Sequence, residues 1–307
     1  MAIISKIDYR IYKKFDKVAY FGSIMLLAAV VIPGLGYSSG GATRWINLKV
    51  TTFQPSEVAK IALVVFYATY LTNNRDKLGN LWEGFFRPAL FLLPIVLILI
   101  FVQSHLSATI LIVLIVSIMM IMAGSKIRYF ITFGGAAAVG GGGLLYILAK
   151  YFEKGAYRLE RLTAFMNPWA DPTDSGWQII QSLYAIGSGG LFGAGLGNST
   201  QKYLYLPVPQ NDFIFAVIAE ELGFVGCIFV IALFAVFIWR GTLIAMKAPD
   251  MFGSLLATGI TAIIGLQALI NIAVVTSSMP NTGMQLPFFS YGGTSLLILL
   301  CSVRSST

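Results

Sequence analysis

Residues 198–223 read NSTQKYLYLPVPQNDFIFAVIAEELG, a polar, aromatic loop running into an apolar helix. One carboxylate, Asp212, stands at the junction. Pro207 and Pro209 fix φ and remove two backbone donors, so the chain approaches this point extended. Asn211 and Asp212 then precede FIFAVIA, where a helix takes a side-chain oxygen for its first orphan N–H groups. Asp212 therefore has two readings here, as an N-cap or as a functional carboxylate. The surroundings of this junction decide between them.

Of the 307 residues, 57% are hydrophobic and 11% are charged. Soluble domains carry about 25% charged residues, so the composition is that of a membrane protein. The formal net charge of +8 reports loop orientation rather than nucleic-acid binding, because no basic run alternates with base-stacking aromatics. With two cysteines, both in apolar runs, and one histidine, His105, a thiolate or imidazole metal site cannot be assembled. No cleavable signal peptide opens the chain.

Residues 1–17 carry five Lys/Arg and read as a cytoplasmic, interfacial segment. Eight apolar runs follow, at roughly 18–35, 56–72, 88–104, 107–123, 129–149, 213–239, 252–275 and 286–303. With the N-terminus inside, Arg75, Lys77, Arg87, Lys126, Arg128, Arg240, Lys247 and Arg304 all fall on inside segments. The outside connections 104–106 and 276–285 hold no Lys or Arg, which is the positive-inside pattern. The expected fold is an all-α polytopic membrane protein, a single transmembrane domain over 1–307. It has about eight transmembrane helices, and its polar loops 36–55 and 150–212 lie on the outer face.

Loop 150–212 is the large extracytoplasmic segment. It opens with charges that include Arg158 and Arg161 and continues through NPWADPTDSG. In GWQIIQSLYAIGSGG, Trp177, Ile180, Leu183 and Tyr184 fall at helical spacing, which predicts a short interfacial amphipathic helix. GSGGLFGAGLGN follows no strand, so a dinucleotide-binding reading fails and a tight loop needing positive φ is expected. GGAAAVGGGG, in the fifth run, reads as close helix packing.

Charges inside spans are costly and mark function by default. Glu57 and Lys60 sit at i and i+3, able to pair at a helix start or to serve a site. Glu220 and Glu221 lie two turns into the sixth run, where one should pair across the bundle in a structural role. Arg44 and Lys202 are cations on the same side as Asp212, as are Arg158 and Arg161. A carboxylate beside cations at the outer interface suits an anionic lipid head group: Arg and Lys hold phosphate oxygens, and the carboxylate serves as general base. Asp171 and Asp174 share the loop, but a glycosidase-like carboxylate pair is not evident. His105 reads as a polar helix end. An enzyme acting on a lipid-linked substrate and a transporter both survive; the clustering of groups at one face, without internal repeats, favours the enzyme.

The stretches GGATRWINL, FQPSEVAKIA, NPWADP, the run from Gly176 to Gly226, and PFFSYGGTSLL occur in order over residues 41–299. Together they resemble the RodA/FtsW/SpoVE family of shape, elongation, division and sporulation proteins. QKYLYLPVPQNDFIF is closer to the division and sporulation branch. The resemblance implies a peptidoglycan glycosyltransferase at the bacterial plasma membrane. It polymerises lipid II at the outer leaflet, releases undecaprenyl pyrophosphate, and works with a class B penicillin-binding protein. It places the family's essential aspartate on Asp212, which activates the acceptor hydroxyl, helped by a divalent cation (Mg or Mn) on the pyrophosphate. It places substrate contacts on Arg44, Glu57, Lys60 and Lys202. This sequence begins where the family's third span should start, and the family's QPDLGT reads QSHLSAT here. The competing activity is lipid II flipping, for which Gln267 and Asn271 are the best polar path.

Overall fold

The computed structural model describes residues 8–32, 35–39, 42–47, 52–136, 140, 143, 165, 167–170, 176–201, 210–291 and 296. The charged run of the large loop, Asp171, Asp174, Lys202, most of the glycine run of the fifth span and most of the last apolar run lie outside them. The chain forms two compact units: residues 1–131, 237–266 and 293–307 in the first, and 132–236 and 267–292 in the second.

In the first unit, a 3-10 turn at Tyr9–Phe15 leads into α1 (Asp16–Ala28), which packs along α2 (Pro55–Asn73). Pro55 opens α2 where its missing N–H costs nothing. Then come α3 (Trp82–Val102), α4 (Leu106–Met122) and α5, which runs from Ile127–Tyr129 into the π-helical Phe130–Gly134. Aromatic packing joins the first helices. Tyr20 stacks on Phe66 at 4.4 Å and its hydroxyl donates to the Phe91 carbonyl, while Tyr67 donates to the Pro88 carbonyl. The Tyr9 hydroxyl donates to Asp250, and its ring stacks on Phe252.

Between α1 and α2, where a polar loop is expected in an all-α chain, the structure has three short antiparallel strands: β1 (Gly36–Ser39), β2 (Ala42–Asn47) and β3 (Thr52–Phe53). Tyr37 pairs with Trp45, and Ile46 with Phe53. Thr43, Trp45 and Ile46 suit a pleated surface, and strand pairing satisfies backbone groups that an irregular loop would leave to solvent.

In the second unit, α6 (Trp177–Gly189) forms where a short helix is expected, but with a different buried face. Ile179, Ile180, Ser182, Ala185 and Gly189 are buried, whereas Tyr184 is exposed and meets Trp169 edge-on. Small residues carry the contact: a Cβ on Gly189 would collide with the Ala219 carbonyl, and Ser182 donates to the Val275 carbonyl at 2.6 Å. Close approach, rather than side-chain size, sets this face.

The remaining helices are α7 (Ile214–Lys247) and α8 (Met251–Val275). Among the described residues, α3, α7 and α8 are long and apolar enough to cross a membrane, and α4 is apolar but shorter. The sixth run is not one continuous helix. At Gly223 the backbone takes φ 67° and ψ −166°, which breaks α7 into a short N-terminal piece and a long C-terminal one. The glycine-rich loop fills the break. The Ala194 and Gly195 N–H groups donate to the Glu220 and Glu221 carbonyls, and the Phe224 and Val225 N–H groups donate to the Gly190 and Leu191 carbonyls. Gly193 has the expected positive φ, at 79°, and a Cβ there would strike the Glu221 carbonyl.

Gly223 is open to glycine alone: its φ/ψ region excludes side chains, and a Cβ would meet the Leu191 backbone at 2.7 Å. Gly223→Ala should destabilise the protein by about 3 kcal/mol or more, read as a lowered midpoint of thermal unfolding in detergent. An unchanged midpoint would contradict the break.

Candidate functional site

In the second unit, the segment bearing Asp212 is held by its backbone. The Tyr291 N–H donates to the Gln210 carbonyl at 2.8 Å. The Ser290 hydroxyl donates to the Asn211 carbonyl at 2.5 Å, and the Asn271 Nδ2 donates to the Asp212 carbonyl at 2.8 Å. The carboxylate itself has no hydrogen bond or ion pair among the described residues. It is half-buried, and a Cβ on Gly283 would stand 3.5 Å from its Oδ2. Burial raises its pKa to about 6, which leaves it mostly ionised at neutral pH and close to taking a proton.

The N-cap reading of Asp212 is not what forms. The helix starts at Ile214, and the Ala216 N–H bonds to the Phe213 carbonyl rather than to the Asp212 side chain. Asp212 stands one residue too early to cap. Glu220 is structural, as its place in an apolar helix suggests, and its partners among the described residues are hydroxyl and amide groups of the preceding loop. Its carboxylate is buried and accepts from the Ser199 hydroxyl at 2.5 Å and from the Thr200 N–H and hydroxyl, both at 2.9 Å. It pins the start of the loop that leads to Asp212.

In the first unit, Glu57 and Lys60 pair at 2.8 Å with both side chains largely buried. The pairing follows from their i, i+3 spacing. Arg44, on β2, does not stand ready for a ligand alone: its Nη2 donates to the Ser104 carbonyl at 2.8 Å and its Nε to the Gln103 carbonyl at 3.3 Å. These bonds hold a turn in which Ser104 has a positive φ of 48°. A guanidinium with five donors can fix this turn and still present N–H groups elsewhere.

The same turn leads to His105, the N-cap of α4, whose Nδ1 accepts the Ala108 N–H at 3.1 Å. Its Nε2 lies 3.1 Å from the Gln54 side-chain amide nitrogen. Burial, followed by the Arg44 and Lys60 charges, lowers the His105 pKa to about 3, so the imidazole is neutral. His105 thus caps α4.

Sequence reasoning singled out Asp212, the Glu57–Lys60 pair and Arg44 as candidates. It read Asn271 only as part of a polar path and missed Ser290, Gly283 and Gln54. An Asn in the apolar run of α8 was the available signal for the first. The Asn211 carbonyl that Ser290 serves has no signature in sequence. Among the described residues, no group of three His, Cys, Asp or Glu side chains is placed to hold a metal ion.

A family model described as a cell cycle protein and covering FtsW, RodA and SpoVE matches residues 1–304. The chain is 42% identical over 303 residues to a probable peptidoglycan glycosyltransferase FtsW of Geobacter sp., covering 99% of this chain and 80% of that one. Stage V sporulation protein E of Bacillus subtilis is also 42% identical over 303 residues, covering 99% and 81%. Among solved structures, a chain of a peptidoglycan synthase complex that coordinates polymerization and crosslinking is similar with TM-score 0.79 at 28% identity, covering 99% and 83%. The rod shape determining protein RodA of Thermus thermophilus is similar with TM-score 0.69 at 26% identity, covering 98% and 79%.

The neutral imidazole has a pH signature. An unfolded histidine binds its proton near pH 6.5, whereas folded His105 binds it only near pH 3, so stability is lost as pH falls through that window. Asp212, with its raised pKa, acts with the opposite sign between about pH 6 and 4. His105→Asn keeps a capping oxygen but cannot take a proton. It should lose about 1 kcal/mol less stability than wild type between pH 7.5 and 5.5, measured by thermal unfolding at both values. Equal losses would contradict a buried neutral His105.

Proposed function

This chain belongs to the FtsW/RodA/SpoVE family, and from that premise we propose the chemistry of its site. The protein is a peptidoglycan glycosyltransferase that polymerises lipid II. Asp212 is the general base. It takes the proton of the acceptor sugar hydroxyl as that oxygen attacks the anomeric carbon of the donor. The carbon–oxygen bond to the pyrophosphate breaks, and undecaprenyl pyrophosphate leaves.

The observation that carries this reading is the Asp212 carboxylate: half-buried, unbonded among the described residues, and fixed through its backbone. A buried carboxylate without partners costs stability, and its raised pKa suits proton transfer near neutral pH. Arg44, Glu57, Lys60 and Lys202 are the proposed substrate contacts. The buried Lys60 beside Glu57 supports a retained charge in an apolar setting. A divalent ion would enter as part of the substrate, carried on its pyrophosphate.

The charge distribution supports eight crossings with the N-terminus inside and the site at the outer face. A penicillin-binding protein is the proposed partner, supported by similarity to a chain from a synthase complex that couples polymerization to crosslinking. A flippase path through Gln267 and Asn271 is not favoured. Both are buried, and Asn271 spends its amide on the Asp212 and Met284 carbonyls.

Asp212→Asn keeps the volume and polarity but removes the base. With purified protein and lipid II, wild type should give glycan ladders and Asp212→Asn at least about a hundredfold less product, consistent with loss of acid–base catalysis. Ladders of equal intensity from a folded variant would contradict the assignment.

A further inference from the structure

Three consecutive carbonyls, those of Gln210, Asn211 and Asp212, each accept one hydrogen bond from a different donor in residues 271–291. None of these donors touches the Asp212 carboxylate. They grip the backbone behind it and leave the acid group open. Asn271 is buried to 1% exposure in α8, and both protons of its amide are committed, to the Asp212 carbonyl at 2.8 Å and to the Met284 carbonyl at 2.6 Å. One side chain therefore ties the Asp212 segment to the 279–288 loop, which also carries Gly283 beside the carboxylate.

Ser290 is placed with similar economy. Its hydroxyl accepts the Leu286 N–H at 2.8 Å and donates to the Asn211 carbonyl. The turn that presents it is tight: the Ser290 N–H bonds to the Leu286 carbonyl at 3.0 Å, and Phe288 takes a positive φ of 66°. A bulky residue in that region is an outlier held by its surroundings. An apolar membrane helix does not need an Asn at its core with both amide protons given to backbone carbonyls. A chain that only had to close a loop would not need a strained turn to aim one hydroxyl.

We propose that Asn271 and Ser290 are positioning residues of the glycosyl transfer, fixing through the backbone where the Asp212 carboxylate stands. The inference rests on Asp212 being the base. It assigns turnover, rather than lipid II binding, to the grip. Misplacing a reacting group by about 1 Å costs on the order of a hundredfold in rate, so loss of one of three restraints should lower kcat while KM stays nearly constant.

The test measures kcat and KM for lipid II polymerisation by the full chain, with thermal midpoints for each variant. Ser290→Ala and Asn271→Leu should each lower kcat by about tenfold or more with KM within about twofold. Ser290→Thr keeps the hydroxyl and should restore kcat to within about threefold of wild type. If Asn271→Leu does not fold, the Ser290 pair alone decides. Wild-type turnover by Ser290→Ala, while Asp212→Asn is inactive, overturns the positioning role and leaves the base assignment standing. A loss in Ser290→Ala that Ser290→Thr does not repair, and that follows a lowered midpoint, overturns it as well. Wild-type rates from Asp212→Asn remove the premise and the inference with it.

Discussion

A membrane helix cannot be interrupted without finding partners for the backbone groups it frees, since hydrocarbon supplies none. The break in α7 at Gly223 meets that constraint with another stretch of backbone. The glycine-rich loop returns four hydrogen bonds to the carbonyls and N–H groups on either side of the break. Glycine is needed on both partners because the two main chains approach more closely than a Cβ allows. The short helical piece before the break begins at Ile214, so the break also fixes where the Asp212 junction sits along the chain.

The electrostatics follow from burial. In the second unit, Asp212 at the entrance of the short helical piece and Glu220 within it have different fates. Glu220 is satisfied by Ser199 and Thr200 and acts as an anchor, whereas Asp212 has no such donors among the described residues and its pKa rises. In the first unit, the Lys60 charge is matched by Glu57, and the neighbouring His105 stays neutral rather than adding a further cation. Among the described residues, Lys60 is paired, Glu220 is hydrogen-bonded and His105 is neutral, while the Asp212 carboxylate, assigned to catalysis, has no such partner.

Much of this was legible in the sequence. The apolar runs locate α2, α4 and α8 to within a residue, whereas one end each of α1, α3 and α7 falls six to eight residues away. The i, i+3 spacing pairs Glu57 with Lys60, and the density of glycines predicts positive φ at Gly190, Gly193, Gly195 and Gly197. The break at Gly223 was not legible, because the run FIFAVIAEELGFVGCIFVIA stays predominantly apolar on both sides of Gly223 and isolated glycines are tolerated in such a helix. The face of α6 that packs within the protein was not read from the spacing, because it uses small residues: Gly189 approaches the Ala219 carbonyl and Ser182 bonds to the Val275 carbonyl. The strands at 36–53 were too short for a period-two signal. The grip on carbonyls 210–212 acts on backbone acceptors that every residue carries, so only the donors, Asn271 and Ser290, could have hinted at it.

The central claim is that Asp212 works as a base whose pKa burial has raised. The most direct measurement is the pH dependence of kcat/KM for lipid II polymerisation between pH 5 and 8, which reports the free enzyme. The account predicts an acidic limb with its midpoint near 6, where Asp212 takes up its proton. A rate that stays level down to pH 5 would contradict it.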